Sequence, residues 1–299
     1  MNKELLEFLK MQDVEYRENA LLSHFSSVKI GGETEIIVFP DTEIKLKEIL
    51  KFLVKSEIRY KILGRMTNVL PPDQKYNGVV VRTDKLDDYV LKSNFLIASC
   101  GVTLPYISYK LCESGLAGFE GLSGIPGSIG GSVIGNAGSF GSDISDCLTF
   151  VRAYDIKSNR TFRLSKEECD FAYRSSCFKE KGYVILSAEF SLYESDKSLL
   201  LKRRRELLWK RRESQPTALP SLGSVFKRPS ADLSAGKLID ECGLKGFSIG
   251  GAQVSEKHAG FIVNTGGATA YDYLSLAEHV LKCVYQKFGV NLEKEIEIM

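Results

Sequence analysis

The sequence predicts an α+β protein of three consecutive units, residues 1–85, 86–196 and 197–299. Three observations predict it. A strand–helix–strand pattern opens the chain. A second set of strands encloses a segment crowded with glycine. A basic helix that stops before Pro216 then leads into a last part mixing helical and alternating patterns.

Residues 1–22 read as a helix and a turn. "EIIVFP" (residues 35–40) alternates and ends in proline, the mark of a strand. "IKLKEILKFLVKSEI" (44–58) repeats apolar residues three and four apart, so it is an amphipathic helix. "YKIL" (60–63) and "GVVVRT" (78–83) are strands on either side of the loop "GRMTN" (64–68). In the second unit "FLIAS" and "YVILSAEFSL" are strands, and "PYISYKLCESG" (105–115) is a helix. Between them runs "GLAGFEGLSGIPGSIGGSVIGNAGSFGSDISD" (115–146). A structureless loop of that length is uncommon, and dense glycine marks backbone pressed against a ligand or another backbone. "SLLLKRRRELLWKRRESQP" (198–216) is the connecting helix, with Leu199, Leu200, Leu207, Leu208 and Trp209 as its apolar face. Its charges read as a solvated face rather than an RNA-binding stripe. Helices follow at "AGKLIDECG" and from Ala270 to about Phe288, and "VNLEKEIEIM" is strand-like.

Composition narrows the function. The 299 residues suffice for a large core, and 43% hydrophobic and 26% charged residues are ordinary for a globular protein. A net charge of +2 leaves no footprint for nucleic acid, and no apolar run approaches a membrane span. The charged, amphipathic "MNKELLEFLK" fits neither a signal peptide nor an anchor. Seven cysteines, odd in number and without CxxC spacing, predict reduced thiols in a cytoplasmic protein. The three histidines are too dispersed for a local metal motif, so no metal site is expected.

Six stretches could carry chemistry, and each has a plain structural alternative. "KILGRMTN" is a strand running into a Gly-Asn turn, which is either an anion cradle lacking a glycine or only a turn. Gly124-Ile125-Pro126-Gly127-Ser128-Ile129-Gly130-Gly131 lacks GxGxxG spacing, and no GxxxxGK[ST] occurs; it is a ligand loop or a tight packing corner. Arg174 in "YRSSCF" can fork onto a carboxylate or make a surface salt bridge. Ser224 in "PSLGSVFKRP" is a positioned hydroxyl or a turn serine, without a GxSxG elbow. "GGAQVSEKHAGFIVNTG" gathers Gln253 and His258 with other polar groups, although a lone histidine is more often structural. Glu293, Glu295 and Glu297 alternate, which puts three carboxylates on one strand face or along a solvated edge.

Taken together, in this order and spacing, these stretches resemble the UDP-N-acetylenolpyruvoylglucosamine reductase family. The resemblance runs from "SHFSSVKIGG" (23–32) to "LEKEIEI". It is most specific at "GLSGIPGSIGGSVIGNAG", "YRSS", "GSVFKRP", "AGKLID", "GLKG" and "GGAQVSEKHAGFIVNTG". No insertion lies between "YRSS" and "GSVF", as in the shorter type of the family, which lacks an extra substrate-covering element.

The resemblance implies a two-subdomain FAD-binding module of the vanillyl-alcohol-oxidase (PCMH) type, at 1–85 and 86–196, followed by a substrate domain with its connector helix at about 198–213. It implies non-covalent FAD, NADPH as reductant and a UDP-sugar enolpyruvate as substrate, in a cytoplasmic monomer without nucleic-acid or membrane partners. The FAD pyrophosphate would lie against Gly64, Arg65, Thr67 and Asn68, and against Gly124, Ile125, Pro126, Gly127, Ser128, Gly130, Gly131, Asn136, Ala137 and Gly138. The family loop reads G-x-G-S-N; here its second glycine is Met66, for which a negative φ is expected, with the side chain turned from the phosphates. Asn68 is expected to matter for FAD affinity. Arg174 and Glu295 match the groups that hold and polarise the substrate carboxylate, with Glu295 protonated or bridged through a cation. Ser224 matches the proton donor to C2. Lys227, Gln253 and His258 fall in the substrate-contact region, and Arg228 stands where many relatives have asparagine. A flavin oxidase of the same fold would lack the trio Arg174, Ser224 and Glu295. A non-catalytic flavin-binding relative would be suggested only by Met66.

Overall fold

The computed structural model describes residues 2–230 and 232–299. The chain divides into two compact units, and neither is continuous. The first holds the residues up to Glu18, Ile36–Arg65 and Gly78–Trp209; the second holds Asn19–Glu35, Met66–Asn77 and Lys210–Met299. The three-part division expected from sequence therefore meets a different partition. Most of 2–85 shares one core with 86–196, whereas 19–35 and 66–77 go with the C-terminal part.

In the first unit, helix α1 (Asn2–Met11) precedes an exposed strand, Glu15–Leu21, where the sequence suggested a turn. That strand is the edge of its sheet, and "EYRENAL" buries almost nothing, so it lacks the alternation that reveals a strand. Strands Glu33–Phe39, Tyr76–Arg82 and Tyr60–Leu63 complete this sheet in that order. The last two run parallel, pairing Leu63 with Arg82. Helix α2 (Glu43–Lys55) buries Leu46, Ile49, Leu50 and Leu53, three and four apart, and Thr42 caps it by accepting the Lys45 N–H.

The other sheet of this unit is antiparallel, in the order Arg160–Ser165, Leu148–Asp155, Val184–Ser191, Phe95–Ser99, Tyr89–Lys92. Helix α3 (Leu104–Glu113) and the short helix α4 (Ile129–Ile134) contribute Leu104, Ile107, Leu111, Ile129 and Val133 to the same core. The glycine-rich stretch is thus a short helix and a tight hairpin, Gly138–Ser139 with Ser142–Asp143, rather than a loop throughout. A four-residue helix, α5 (Phe178–Lys181), follows the "YRSS" turn. Helix α6 (Lys197–Ser214) buries only Leu200 and Leu207. Leu199 and Trp209, expected on the apolar face, are 62% and 63% exposed. At 3.6 residues per turn, 200 and 207 lie almost above one another, while 209 points nearly the opposite way.

In the second unit, strands Ser221–Ser224, Phe261–Asn264, Ala252–Val254 and Ser248–Ile249 form an antiparallel sheet. It packs with α7 (Ala235–Glu241) and α8 (Ala270–Phe288). Val28, Ile30 and Leu70 belong to this core, which explains why two early segments join it. Hydrogen bonds fasten them as well. Asp73 accepts the first N–H groups of α8, from Ala270 and Tyr271. The Asn264 side chain donates to Val28 O at 2.9 Å.

Candidate active site

The first unit brings Gly64, the glycine-rich segment and Arg174 into one cluster. Gly64 follows the carboxyl end of the parallel pair, the edge at which open α/β sheets offer ligands their backbone. A Cβ on Gly64 would stand 3.0 Å from Ser128 Oγ, so glycine leaves that space open. Ser128 Oγ is buried and without a hydrogen-bond partner among the described residues, and so is Asn136 Oδ1. The unpartnered Ser128 hydroxyl beside Gly64 has a proton to donate, which fits an anionic group such as a pyrophosphate, whereas Asn136 Oδ1 can only accept and calls for an N–H or O–H donor. Gly130 has a different role. Gly130 N–H bonds Cys100 O at 2.8 Å, and its Cβ would meet Cys100 Cβ at 2.9 Å, so Gly130 seats α4 on the sheet. Ile125 N–H goes to Leu122 O, and Ala137 N–H to Ser132 O. Gly124, Ile125, Gly127, Gly131 and Gly138 are half-buried or exposed, Pro126 is exposed, and Arg65 is exposed beside the cluster. Burial pushes the neighbouring Cys100 thiol up to about 12, which keeps it unreactive.

Arg174 is held by the glycine-rich segment itself. Its guanidinium donates to Gly138 O at 2.9 Å and Asn136 O at 3.4 Å, lies 5.0 Å from the Tyr173 ring centre and approaches Asp143 at 3.9 Å. Arg174 adopts φ +54, and Asn136, whose amide donates to Ala172 O, adopts φ +40. Two backbone carbonyls therefore aim the guanidinium while its side chain stays 20% exposed, an arrangement suited to meeting an incoming carboxylate. Asp143 carried no sequence signal.

The second unit gathers Thr67, Asn68, Ser224, Lys227 and Glu295. Ser224 ends a strand in which four residues answer three of its partner, Ser221 opposite Val263 and Ser224 opposite Phe261. Gly223 supplies the bulge at φ +80, and the bulge re-aims Ser224. Among the described residues the Ser224 hydroxyl has no hydrogen-bond partner. Glu295 N–H bonds Val225 O at 2.7 Å, so the serine strand and the glutamate run side by side. Asn68 Nδ2 donates to Glu295 O at 3.0 Å, which commits part of the amide expected to face the cofactor.

Met66 is the clear correction. It sits at φ +53 with its side chain 2% exposed, whereas a negative φ was expected. The side chain is an interior group, and its packing holds the backbone in the left-handed region that glycine would occupy freely.

The other candidates are occupied within the fold. Lys227 Nζ pairs with Glu293 at 2.9 Å, which holds the Glu293 carboxyl below its usual range. Gln253 Nε2 bonds Gly246 O and Ser248 Oγ. His258 Nδ1 accepts the Gly260 N–H at 3.1 Å, and burial pushes this imidazole below its usual value, so it is a neutral acceptor. Of the three alternating glutamates, Glu293 and Glu297 are exposed and Glu295 is half-buried. The trio splits because this segment is not one regular strand: Lys294 bridges Phe226, and only Glu297–Ile298 pairs as a strand.

Comparison with known proteins places this geometry in context. A profile described as the UDP-N-acetylenolpyruvoylglucosamine reductase C-terminal domain matches residues 215–299, and one described as an FAD binding domain matches 34–165. The UDP-N-acetylenolpyruvoylglucosamine reductase of Caldicellulosiruptor bescii is 42% identical over 98% of this chain and 93% of its own length. That of Clostridium novyi is 39% identical over 100% and 96%. The crystal structure of the Thermus caldophilus enzyme superposes with a TM-score of 0.80 at 32% identity, covering 95% of this chain and 98% of the other.

Proposed function

Because the chain belongs to the UDP-N-acetylenolpyruvoylglucosamine reductase family, we propose Arg174, Ser224 and Glu295 as the groups that carry its reaction. The fold is a two-subdomain FAD-binding module of the PCMH type with a C-terminal domain. The protein is an FAD-dependent, NADPH-driven reductase that converts UDP-N-acetylglucosamine enolpyruvate to UDP-N-acetylmuramate in bacterial peptidoglycan precursor synthesis.

When bound, FAD would supply the hydride chemistry, passing reducing equivalents from NADPH to C3 of the enolpyruvyl group. This chain's residues hold the cofactor, hold the substrate and place a proton. Gly64, Ser128, Gly131 and Asn136 line the cofactor site, and the unpartnered Ser128 hydroxyl beside Gly64, which can donate to a pyrophosphate oxygen, supports this. The stretch Gly124–Gly127 shapes the same cradle, and family membership assigns Thr67 to the cofactor as well; the Asn68 amide is committed to Glu295 O instead. Arg174 binds the substrate carboxylate, where negative charge grows as C2 and the carboxylate become an enolate. Its aim is set in advance by the Asn136 and Gly138 carbonyls, so little reorganisation is needed as that charge develops. Glu295, protonated or bridged through a cation, polarises the substrate carboxylate. Ser224 delivers the proton to C2, and since a hydroxyl is a weak acid, that proton must be relayed to it. Lys227, Gln253 and His258, expected in the substrate-contact region, are each engaged within the fold, which suits a supporting role. A cytoplasmic monomer completes the proposal, and seven free cysteines suit a reducing compartment.

The observation that carries the reading is Arg174 fastened to the carbonyls of the glycine-rich segment. The test is direct. The purified protein should be yellow, lose its colour to the filtrate after denaturation, and consume NADPH in step with the enolpyruvyl substrate. Colour that stays with the polypeptide would contradict non-covalent FAD. NADPH consumption indifferent to the substrate would contradict the reaction. Sedimentation at working concentration tests the monomer.

A further inference from the structure

The segment carrying Glu295 is irregular at that residue, yet both of its backbone polar groups are tied. Its N–H bonds Val225 O at 2.7 Å. Its carbonyl accepts from Asn68 Nδ2 at 3.0 Å, across 227 positions of sequence. Neighbouring bonds repeat the grip from both sides: Lys227 N–H to Glu293 O at 2.8 Å, and Glu297 N–H to Asn68 O at 2.9 Å. The contact at Glu295 O is the one made by a side chain, so it is the one a substitution can remove without altering the backbone.

We propose that Asn68 is a positioning residue for Glu295: its amide fixes the plane of the peptide after Glu295 and, through it, the direction in which the carboxyl leaves the chain. The proposal rests on the reading of Glu295 as the group facing the substrate carboxylate. Removing the donor takes the Asn68 bond from that carbonyl and loosens the peptide's hold on its orientation. A reacting group misplaced by about 1 Å loses on the order of a hundredfold in rate. A cofactor ligand would behave differently, because its loss would fall on FAD retention and on both half-reactions.

Asn68→Asp keeps the shape, removes the N–H donor and sets oxygen against oxygen. Asn68→Ser takes its place if the aspartate variant does not accumulate. Flavin absorbance in stopped flow gives the two half-reactions separately, and flavin released on denaturation gives FAD content. FAD content and reduction by NADPH are expected to stay within about threefold of the parent, while reoxidation by the enolpyruvyl substrate slows about 10–100-fold. In a Glu295→Gln background the same change is expected to add almost nothing, because its effect passes through Glu295. Loss of FAD, equal slowing of both half-reactions, or a full additive penalty on top of Glu295→Gln overturns the proposal. If Glu295→Gln alone reoxidises at the parent rate, the reading of Glu295 itself falls. If Glu295→Gln is slow but Asn68→Asp is not, only the positioning role falls.

Discussion

Replacing Met66 by glycine or by alanine separates two forces that act on one residue. Met66 is 2% exposed and held at φ +53, where a residue with a Cβ is strained by about 1–2 kcal/mol. Cutting a buried methionine back to alanine costs about 2–5 kcal/mol. Glycine loses one more methyl, about 0.8 kcal/mol, and adds unfolded-chain entropy worth about 0.4–1 kcal/mol. It also recovers the strain. The gains and losses between alanine and glycine nearly cancel, so the two variants are expected within about 1 kcal/mol of each other. Both should lie about 2–5 kcal/mol below the parent, since interior packing outweighs the strain it maintains. At an ordinary negative φ the relief would be absent, and alanine would lead glycine by roughly 1–2 kcal/mol. Urea unfolding of the FAD-free proteins, followed by circular dichroism, measures both gaps. An alanine variant more stable than the glycine one by more than 1 kcal/mol would refute the left-handed geometry. A glycine variant as stable as the parent would refute the packing argument.

Ser224→Ala should leave flavin reduction by NADPH nearly intact and slow substrate reduction about 10²–10⁴-fold, as loss of a placed proton donor does; equal losses in both half-reactions would mark the serine as structural. Arg174→Lys should lose on the order of 3–4 kcal/mol of transition-state stabilisation, because an ammonium cannot span the Asn136 and Gly138 carbonyls and still fork onto a carboxylate; near-normal turnover would exclude that geometry. His258 has its folded pKa depressed by burial, so between that value and the ordinary imidazole value, near 6.5, the unfolded chain binds the extra proton. The stability it contributes is full above the ordinary value and is lost as pH falls through the window. The thermal midpoint should therefore drop more steeply on acidification from about pH 7 to 5 in the parent than in His258→Asn; parallel curves would show that the imidazole does not titrate this way.

Much of this protein was legible in its sequence, because the relevant signals are local. The apolar spacing of α2 and α8 follows from residues one turn apart; the structure returns α8 to the residue, while α2 begins one residue before the expected 44–58 and ends three residues short of it. The order of "GRMTN", "GLSGIPGSIGG", "YRSS", "GSVF" and "LEKEIEI" was enough to name the family and hence the cofactor and reaction. Tertiary structure decided the rest through contacts that neighbours in sequence do not make. The edge strand Glu15–Leu21 pairs without burying a face, so no periodicity betrays it. Segments 19–35 and 66–77 join the second unit because Val28, Ile30 and Leu70 fill its core and Asp73 caps its long helix. Met66 takes the conformation of the glycine it replaces because burial of its own side chain holds it there, a force that no local propensity contains. Arg174 faces where it does because the Asn136 and Gly138 carbonyls hold it from 38 and 36 positions away, and Glu295 because Asn68 reaches it from 227. Periodicity and motif order survive in one dimension; the direction of a side chain depends on partners that only the folded chain brings within hydrogen-bond reach.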